Sequence, residues 1–229
     1  MKTSTSLLLL TLSIAGITCA NAAVVSKTID SAQFVNGYMN VYDLPSNGGA
    51  YVFGSGWGVS DLNTTFPSSS QVIFTPNTIG DPASFWYTPS GGPGSSGNKI
   101  MEANLYVQPA DGTLSGQTIN FEGSVEQFSL VDSYTFRAFI LDFSPDYSSV
   151  IETYTNITHT GNFSVSYTTV NDPTRHVQWG LQMKGPCVWI TDVASKGSVT
   201  VSAVPEASTC IMLGLAITGM LVPRARRRN

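Results

Sequence analysis

The sequence predicts an all-β fold, an antiparallel two-sheet β-sandwich of the jelly-roll type. Apolar and polar residues alternate with a period of two in several short segments, and no segment keeps a helical period over three turns. Charged residues make up only 11% of the 229-residue chain, as in exported β domains with polar, uncharged faces. Aromatic residues make up 10%, which is too many for a disordered chain.

The alternation assigns inward and outward faces to individual strands. In the segment 101–108 the odd-numbered residues are apolar and are predicted to face the core, whereas Glu102, Asn104, Tyr106 and Gln108 face out. The segment 176–183 alternates in the same way and places Trp179 in the core. Further strands are predicted at 71–75, 118–125, 134–143, 163–168 and 199–203. Short, evenly spaced strands of this kind are typical of β-sandwiches.

The first 22 residues predict a signal peptide. Lys2 supplies the positive charge, residues 7–17 are apolar, and Ala20-Asn21-Ala22 places small residues before a cleavage site at Ala23. We therefore expect an exported protein whose β-sandwich domain covers residues 23–203.

Residues 204–229 combine three features in a fixed order. Val204-Pro205-Glu206 precedes an uncharged apolar run, 207–223, and the cluster Arg224, Arg226, Arg227 and Arg228 follows it. Seventeen helical residues span about 25 Å, slightly less than the ~30 Å hydrocarbon core, and snorkelling arginines make up the difference. Arginines hold this end in the cytoplasm, so we expect a membrane-spanning segment with the domain on the outer side.

This tail resembles the PEP-CTERM sorting signal of Gram-negative bacteria. The matching residues are Val204, Pro205, Glu206, Ser208, Thr209, Gly214, Gly219 and the four arginines. The resemblance implies recognition by an exosortase, a membrane-embedded protease-transpeptidase, with cleavage near Pro205-Glu206. It also implies transient anchoring in the inner membrane and a final location in the cell envelope or extracellular matrix, together with exopolysaccharide. A plain C-terminal membrane anchor is the alternative interpretation.

Charge and cysteine content narrow the classes of partner. Without the two terminal segments the chain has six basic and fourteen acidic side chains, a net charge of −8. A domain this acidic repels nucleic acid and anionic lipid, but it is compatible with a neutral polysaccharide. Cys187 is the only cysteine of this body, so it forms no internal disulfide and is expected to be a small buried apolar residue.

The segment 134–202 resembles the second half of a xylanase-type carbohydrate-binding module. The matching stretches are 134–139, 161–163, 176–180 and 188–193, with Asn36-Gly37 and Trp57 earlier in the chain. The resemblance implies a jelly roll in which the concave face of one sheet binds a glycan chain, often with a structural calcium ion at a loop.

Glycan binding requires aromatic rings against the apolar faces of sugars and planar polar groups for the hydroxyls. Trp57 lies between glycines and Trp86-Tyr87 precedes the glycine-rich loop 90–97, so these three are expected to be exposed. The candidate glycan-binding residues are Trp57, Trp86, Tyr87, Tyr106, Arg137, His176 and Gln178. Asp142 and Asp146 flank a Ser-Pro turn and are the candidates for a structural calcium ion; no other cofactor is predicted.

Two other functions remain open at this level. One is a structural or adhesion protein of the matrix without a specific small ligand. The other is a jelly-roll glycoside hydrolase, which needs two carboxylates roughly 5–10 Å apart across a cleft. Glu102, Glu122 and Glu126 lie on or near predicted strands, but no spacing singles out a pair, and we therefore expect no enzyme.

Overall fold

A computed structural model describes residues 24–204. It contains fourteen strands: β1 (Val24–Lys27), β2 (Asn36–Asp43), β3 (Tyr51–Trp57), β4 (Thr64–Ser68), β5 (Gln71–Phe74), β6 (Tyr87–Thr88), β7 (Ser96–Gly97), β8 (Lys99–Val107), β9 (Thr118–Phe128), β10 (Thr135–Phe143), β11 (Val150–Ile157), β12 (Gly161–Thr168), β13 (His176–Pro186) and β14 (Val199–Ser202). Short 3-10 helices cover Pro45–Asn47, Val59–Leu62 and Ile190–Lys196.

The predicted terminal signals lie outside the described residues. This applies to the signal peptide 1–22, to the sorting residues Pro205 and Glu206, to the apolar run 207–223 and to the arginines at 224 and 226–228. Within residues 24–204, no helix has the length and apolar character needed to cross a membrane.

Two six-stranded sheets form a β-sandwich, which confirms the prediction of an all-β, two-sheet fold. The front sheet has the order β11-β10-β13-β8-β2-β3, and all neighbours are antiparallel. In the back sheet, β12 pairs with one edge of β9 while β1 and β14 share the other edge, and β5 and β4 follow β14. The predicted antiparallel pairing is wrong at one strand: β1 runs parallel to β9, alongside the part of β9 that β14 leaves unpaired.

The core lies between the sheets and follows the predicted alternation. The odd-numbered residues 101–107 and 177–183 are all buried, and Trp179 is among the largest buried side chains. Phe74 of the back sheet meets Phe136 of the front sheet edge to face, with ring centroids 5.0 Å apart. Cys187 is buried as expected.

The buried carboxylate of Asp142 connects the two sheets and is paired with Arg175. Asp142 of β10 is 0% exposed and accepts hydrogen bonds from Arg175 Nε (2.6 Å), the Val170 amide (2.9 Å) and the Tyr167 hydroxyl (3.2 Å). Arg175 also donates through Nη2 to the Asp142 carbonyl at 2.6 Å. Because Tyr167 belongs to β12, this carboxylate fixes an end of the back sheet against the front sheet.

Candidate functional site

The outward face of the front sheet carries a row of hydrogen-bonded side chains. Arg137, Gln182, Asn104 and Tyr38 occupy paired positions on β10, β13, β8 and β2. Gln182 Nε2 donates to Asn104 Oδ1 at 2.7 Å, and Gln182 Oε1 accepts from Arg137 Nε at 2.7 Å. We call Asn104, Gln182 and Arg137 the amide row. Its planar groups are held in fixed orientations by these contacts.

Arg137 ends the row at an exposed edge. Its Nη2 donates to Glu152 Oε1 at 2.7 Å, and the guanidinium lies 4.6 Å from the ring centroid of Tyr154. Both partners belong to the edge strand β11. The guanidinium is thus oriented by a charge-assisted hydrogen bond and by an aromatic ring.

A second polar cluster lies beside the amide row. Glu102 accepts from Asn40 Nδ2 at 3.0 Å and from Lys184 Nζ at 2.8 Å. The ammonium of Lys184 lies 4.3 Å from the ring centroid of Tyr42. Burial, together with the Glu102 carboxylate, raises the pKa of Tyr42 to about 12. Arg137 and Lys184 are therefore both paired with carboxylates.

Tyr106 lies on the other side of the amide row, opposite Gly180 of β13. A Cβ at Gly180 would come 2.3 Å from the Leu105 carbonyl oxygen and 2.8 Å from Tyr106 Cβ, so only glycine permits this packing. Phe139, which pairs with Gly180 from β10, also faces outward, yet it is only 1% exposed. Burial raises the pKa of Tyr106. The tyrosine is thus seated in the surface rather than projecting from it.

Hydrogen bonds continue from this point to the end of the sheet. Gln178 Nε2 donates to Gln108 Oε1 at 2.7 Å, and Gln108 Nε2 donates to the Tyr147 hydroxyl at 3.0 Å. The Tyr147 ring stacks on His176, with centroids 4.2 Å apart and planes 6° apart. We use the name front face for the surface formed by Tyr38, Asn40, Tyr42, Glu102, Asn104, Tyr106, Arg137, Tyr147, Tyr154, His176, Gln178, Gln182 and Lys184.

His176 joins two loops to this end of the front face. Its Nδ1 lies 2.7 Å from Asp111 Oδ1, and its Nε2 lies 3.0 Å from the Pro145 carbonyl oxygen. Both partners are acceptors, so only the doubly protonated imidazolium donates to both. The hydrogen bond to Asp111 and the one to Pro145 raise the pKa of His176 above 6.5.

The structure divides the predicted glycan-binding residues into two groups. Tyr106, Arg137, His176 and Gln178 share the front face, as their alternation indicates. Tyr87 does not: it is 0% exposed, and its hydroxyl bonds to Ile79 O at 2.7 Å and Val188 O at 3.2 Å. The expectation that Tyr87 is exposed is wrong, because its hydroxyl finds its partners inside the protein.

Trp57 and Trp86 also lie away from the front face. Both are half-buried and pack against the core. Trp86 packs edge-on against Phe53 and Phe85, with ring centroids 6.2 Å and 4.8 Å away. In β3, Gly56 pairs with Tyr38, so the next residue, Trp57, points to the opposite side of the sheet.

The calcium prediction is wrong for Asp142, and no observation supports it for Asp146. Asp142 is fully buried and already bonded to Arg175, Val170 and Tyr167. Asp146 accepts from Ser144 Oγ (2.8 Å) and Ser148 Oγ (2.7 Å), and these bonds lower the pKa of its exposed carboxyl group to about 2. Calcium needs six to eight oxygens. Between residues 24 and 204, no three His, Cys, Asp or Glu side chains are grouped to hold a metal ion.

Several front-face residues were not predicted from the sequence. Tyr38, Asn40 and Tyr42 alternate with the buried Met39 and Val41, a pattern that was available in the sequence. Tyr154 carried no comparable signal, because β11 is an edge strand exposed along most of its length. Tyr147 sits in a turn with a left-handed backbone (φ 57°), and its stacking on His176 depends on tertiary structure alone.

Comparisons with known proteins find similarity at the level of structure. No family model and no curated protein matches the chain. One similar structure is from work on the promiscuous specificity of carbohydrate-binding modules of the β-sandwich superfamily; it is 15% identical, with a TM-score of 0.32 over 72% of this chain and 70% of that one. Another contains the CBM22-1–GH10 modules of endo-1,4-β-D-xylanase 10B from Clostridium thermocellum with xylohexaose; it is 9% identical, with a TM-score of 0.27 over 65% of this chain and 28% of that one.

Proposed function

We propose that this protein is an exported β-sandwich of jelly-roll type that binds a neutral glycan chain on the front face. The observation that carries the proposal is the amide row, with Tyr38 at its β2 end and Tyr106 beside it. Planar amide and guanidinium groups match the hydroxyls of a sugar, and tyrosine rings match its apolar faces. Because the amide row is already ordered by its own hydrogen bonds, a glycan would bind with little further loss of side-chain entropy.

The charges of the front face favour a neutral ligand. Arg137 is paired with Glu152 and Lys184 with Glu102, so neither cation is free for an acidic sugar. The net charge of −8 between the terminal segments adds a repulsive field for polyanions.

We propose that the front face binds without cleaving. Glu102 is held by Lys184 and Asn40, whereas Glu122 and Glu126 belong to β9 of the back sheet. Glu102 and Glu122 lie on outward faces of different sheets, so they do not face each other across one cleft.

We propose further that an exosortase-type pathway carries the protein to the cell envelope. Support comes from the order of features in residues 204–229, which would anchor the chain in the membrane until cleavage near Pro205-Glu206. Mass spectrometry of surface-derived protein tests this. A C-terminus close to Pro205 is expected, whereas an intact Arg228-Asn229 end would favour a plain anchor.

Affinity electrophoresis tests the glycan proposal. Protein purified from cells that express the full chain would be run in gels containing xylan, mixed-linkage glucan or galactomannan. We expect retardation by at least one polymer, and a loss of affinity of about tenfold or more in Tyr106→Ala and in Arg137→Ala. Ser166→Ala, on the outward face of the back sheet, is the matched control. No retardation in any gel would favour a matrix protein without a specific glycan.

A further inference from the structure

A cavity of about 520 Å³ lies at the end of β3, and no residue of the front face lines it. Its walls come from the end of β3, the 3-10 helix Val59–Leu62 and the segment 78–80. The lining residues that matter for its chemistry are Trp57, Ser60, Asp61, Asn63, Thr78 and Ile79. The front-face site described above uses none of them.

The Trp57 ring is held in place by the framework. Its Nε1–H donates to Ser55 Oγ at 3.0 Å, and the side chain packs against the core. Gly37 pairs with Trp57 at close range: a Cβ there would come 2.5 Å from the Trp57 carbonyl oxygen and 2.8 Å from Leu62 Cδ1. Gly37 therefore allows β2 to come close to β3, and this close packing positions Trp57 at the cavity wall.

Glycines keep the space beside the ring open. A Cβ added at Gly56 or Gly80 would meet no heavy atom within 4 Å. At Gly58, by contrast, it would come 2.8 Å from Asp61 Oδ2, so the Asp61 carboxylate occupies the space directly above this glycine. An aromatic ring and a carboxylate are thus neighbours in one open depression.

The polar groups of the cavity are mainly acceptors. Asp61 is exposed, and within residues 24–204 its carboxylate has neither an ion pair nor a hydrogen bond. Asn63 donates through Nδ2 to the Pro76 carbonyl at 2.8 Å, which fixes its amide and keeps Oδ1 as an acceptor. The hydroxyls of Ser60 and Thr78 complete the lining.

We infer that this cavity is a second saccharide site, which takes a neutral mono- or disaccharide unit. The apolar face of the sugar lies on Trp57, and sugar hydroxyls donate to Asp61 and to Asn63 Oδ1. Hydrogen bonds to an ionised carboxylate are stronger than those between neutral groups. The volume lies within the roughly 300–1,000 Å³ of ordinary small-ligand sites. This inference does not depend on glycan binding at the front face.

A second site changes what one molecule does to a polysaccharide. With two sites, one protein holds two chains together, or it holds one chain at two points and binds it with higher avidity. Either outcome suits a protein of an extracellular matrix.

Fluorine NMR of the full-length protein labelled with 5-fluorotryptophan tests the site directly. The probes are methyl β-glucoside, methyl β-xyloside and methyl β-galactoside, and Trp57→Phe assigns the Trp57 resonance. At least one glycoside is expected to shift this resonance saturably, with a Kd on the order of 1 mM. The resonance of Trp179, which is buried in the core, serves as the internal control for folding.

Three variants separate this site from the front face. Asp61→Asn is expected to weaken the glycoside about tenfold, because it removes the charge from an exposed side chain without disturbing the core. Asp81→Asn, an exposed carboxylate of the adjacent turn, and Arg137→Ala, on the front face, are expected to leave the Trp57 shift unchanged. The inference is overturned if no glycoside shifts the resonance, if Asp61→Asn binds as tightly as the parent, or if Arg137→Ala abolishes the shift.

Discussion

The two outward faces of the sandwich arise from the same alternation but differ in how their polar side chains are held. On the back sheet, short side chains form separate two-residue pairs between β9 and β12: Thr118 with Thr168 at 2.8 Å, and Ser164 with Asn120 at 2.6 Å. On the front sheet, long side chains connect across strands through the amide row, and Gln182 and Asn104 are only 5% and 8% exposed.

Shielding an outward-facing polar group from water costs free energy. An amide loses its hydration on burial, and only well-made hydrogen bonds compensate for it. The back face avoids this cost because its hydroxyls remain close to solvent. The front face has this desolvation cost, but its amides, guanidinium and tyrosines are held in fixed positions. Because of this difference, we propose that the glycan binds to the front sheet and not to the back sheet.

Asp142 of β10 contributes to the contact between the two sheets, because it accepts a hydrogen bond from Tyr167 of β12 and its charge is paired with Arg175. Arg175→Met leaves a fully buried carboxylate without its cation, which is expected to lower the free energy of unfolding by about 3–5 kcal/mol. Urea denaturation followed by tryptophan fluorescence measures it. Lys196→Met, near the end of the last 3-10 helix, is the control. A loss below about 1 kcal/mol would mean that Asp142 is solvated in the native state.

Gly180→Ala tests whether the packing of Tyr106 shapes the front face. The added Cβ would collide with the Leu105 carbonyl oxygen between β13 and β8, and we expect a loss of about 3 kcal/mol together with loss of retardation in polysaccharide gels. Gly56→Ala adds the same atom where nothing lies within 4 Å, so its unfolding free energy should stay within about 0.5 kcal/mol of the parent. Equal stability of the two variants would contradict the packing argument.

The strands of the front sheet were predictable to different degrees. β8 and β13 alternate cleanly, so the sequence indicated both the core residues and the outward positions of Tyr106 and Gln178. β3 contains two glycines and exposed residues at the sheet edge, and its pattern is lost. Residue propensity and hydrophobic periodicity indicate which face of a strand is buried. They do not indicate which sheet an edge strand joins.

A residue of the candidate site could be predicted only where the outward orientation of its strand position is enough to place it on the front face. Arg137 faces outward by alternation, but its contacts with Gln182 and Glu152 join residues 45 and 15 positions apart. Tyr87 and Asp142 show the converse. Each reads as a surface residue from its neighbours in sequence, and each is buried because distant partners satisfy its polar atoms, Val188 for Tyr87 and Arg175 for Asp142. Such pairings form only after the chain has folded.

Gln182→Leu is the most direct test of the difference between the faces. It removes the donor to Asn104 Oδ1 and the acceptor of Arg137 Nε, and we expect a loss of about 1–2 kcal/mol in unfolding free energy. Ser164→Ala breaks a back-face hydrogen bond of similar length but at an exposed position, where the change should remain below about 0.5 kcal/mol. If the two losses are equal, the amide row is no more ordered than the back face.

His176 makes the end of the front face sensitive to pH. The pKa of His176 is raised above 6.5, so the stabilisation from its bonds to Asp111 and Pro145 is complete below pH 6.5 and is lost as pH rises through the native-state pKa. The thermal midpoint is therefore expected to fall as pH rises from 6.5 into the alkaline range, and this part of the fall should disappear in His176→Gln. His159→Gln, on the exposed turn after β11, is the control. An identical pH profile in parent and His176→Gln would contradict the assignment.

The smallest effect is expected at the exposed edge of the amide row. Glu152 is 33% exposed, so its hydrogen bond to Arg137 is screened by water, and Glu152→Gln should change the unfolding free energy by at most about 1 kcal/mol. Its effect on glycan affinity should also be small, because the Tyr154 ring and Gln182 still orient the guanidinium. The parallel measurement is Arg137→Ala, which removes the group itself and should abolish most of the retardation. If Glu152→Gln weakens binding as much as Arg137→Ala, the carboxylate itself contacts the glycan, and Glu152 belongs to the binding surface.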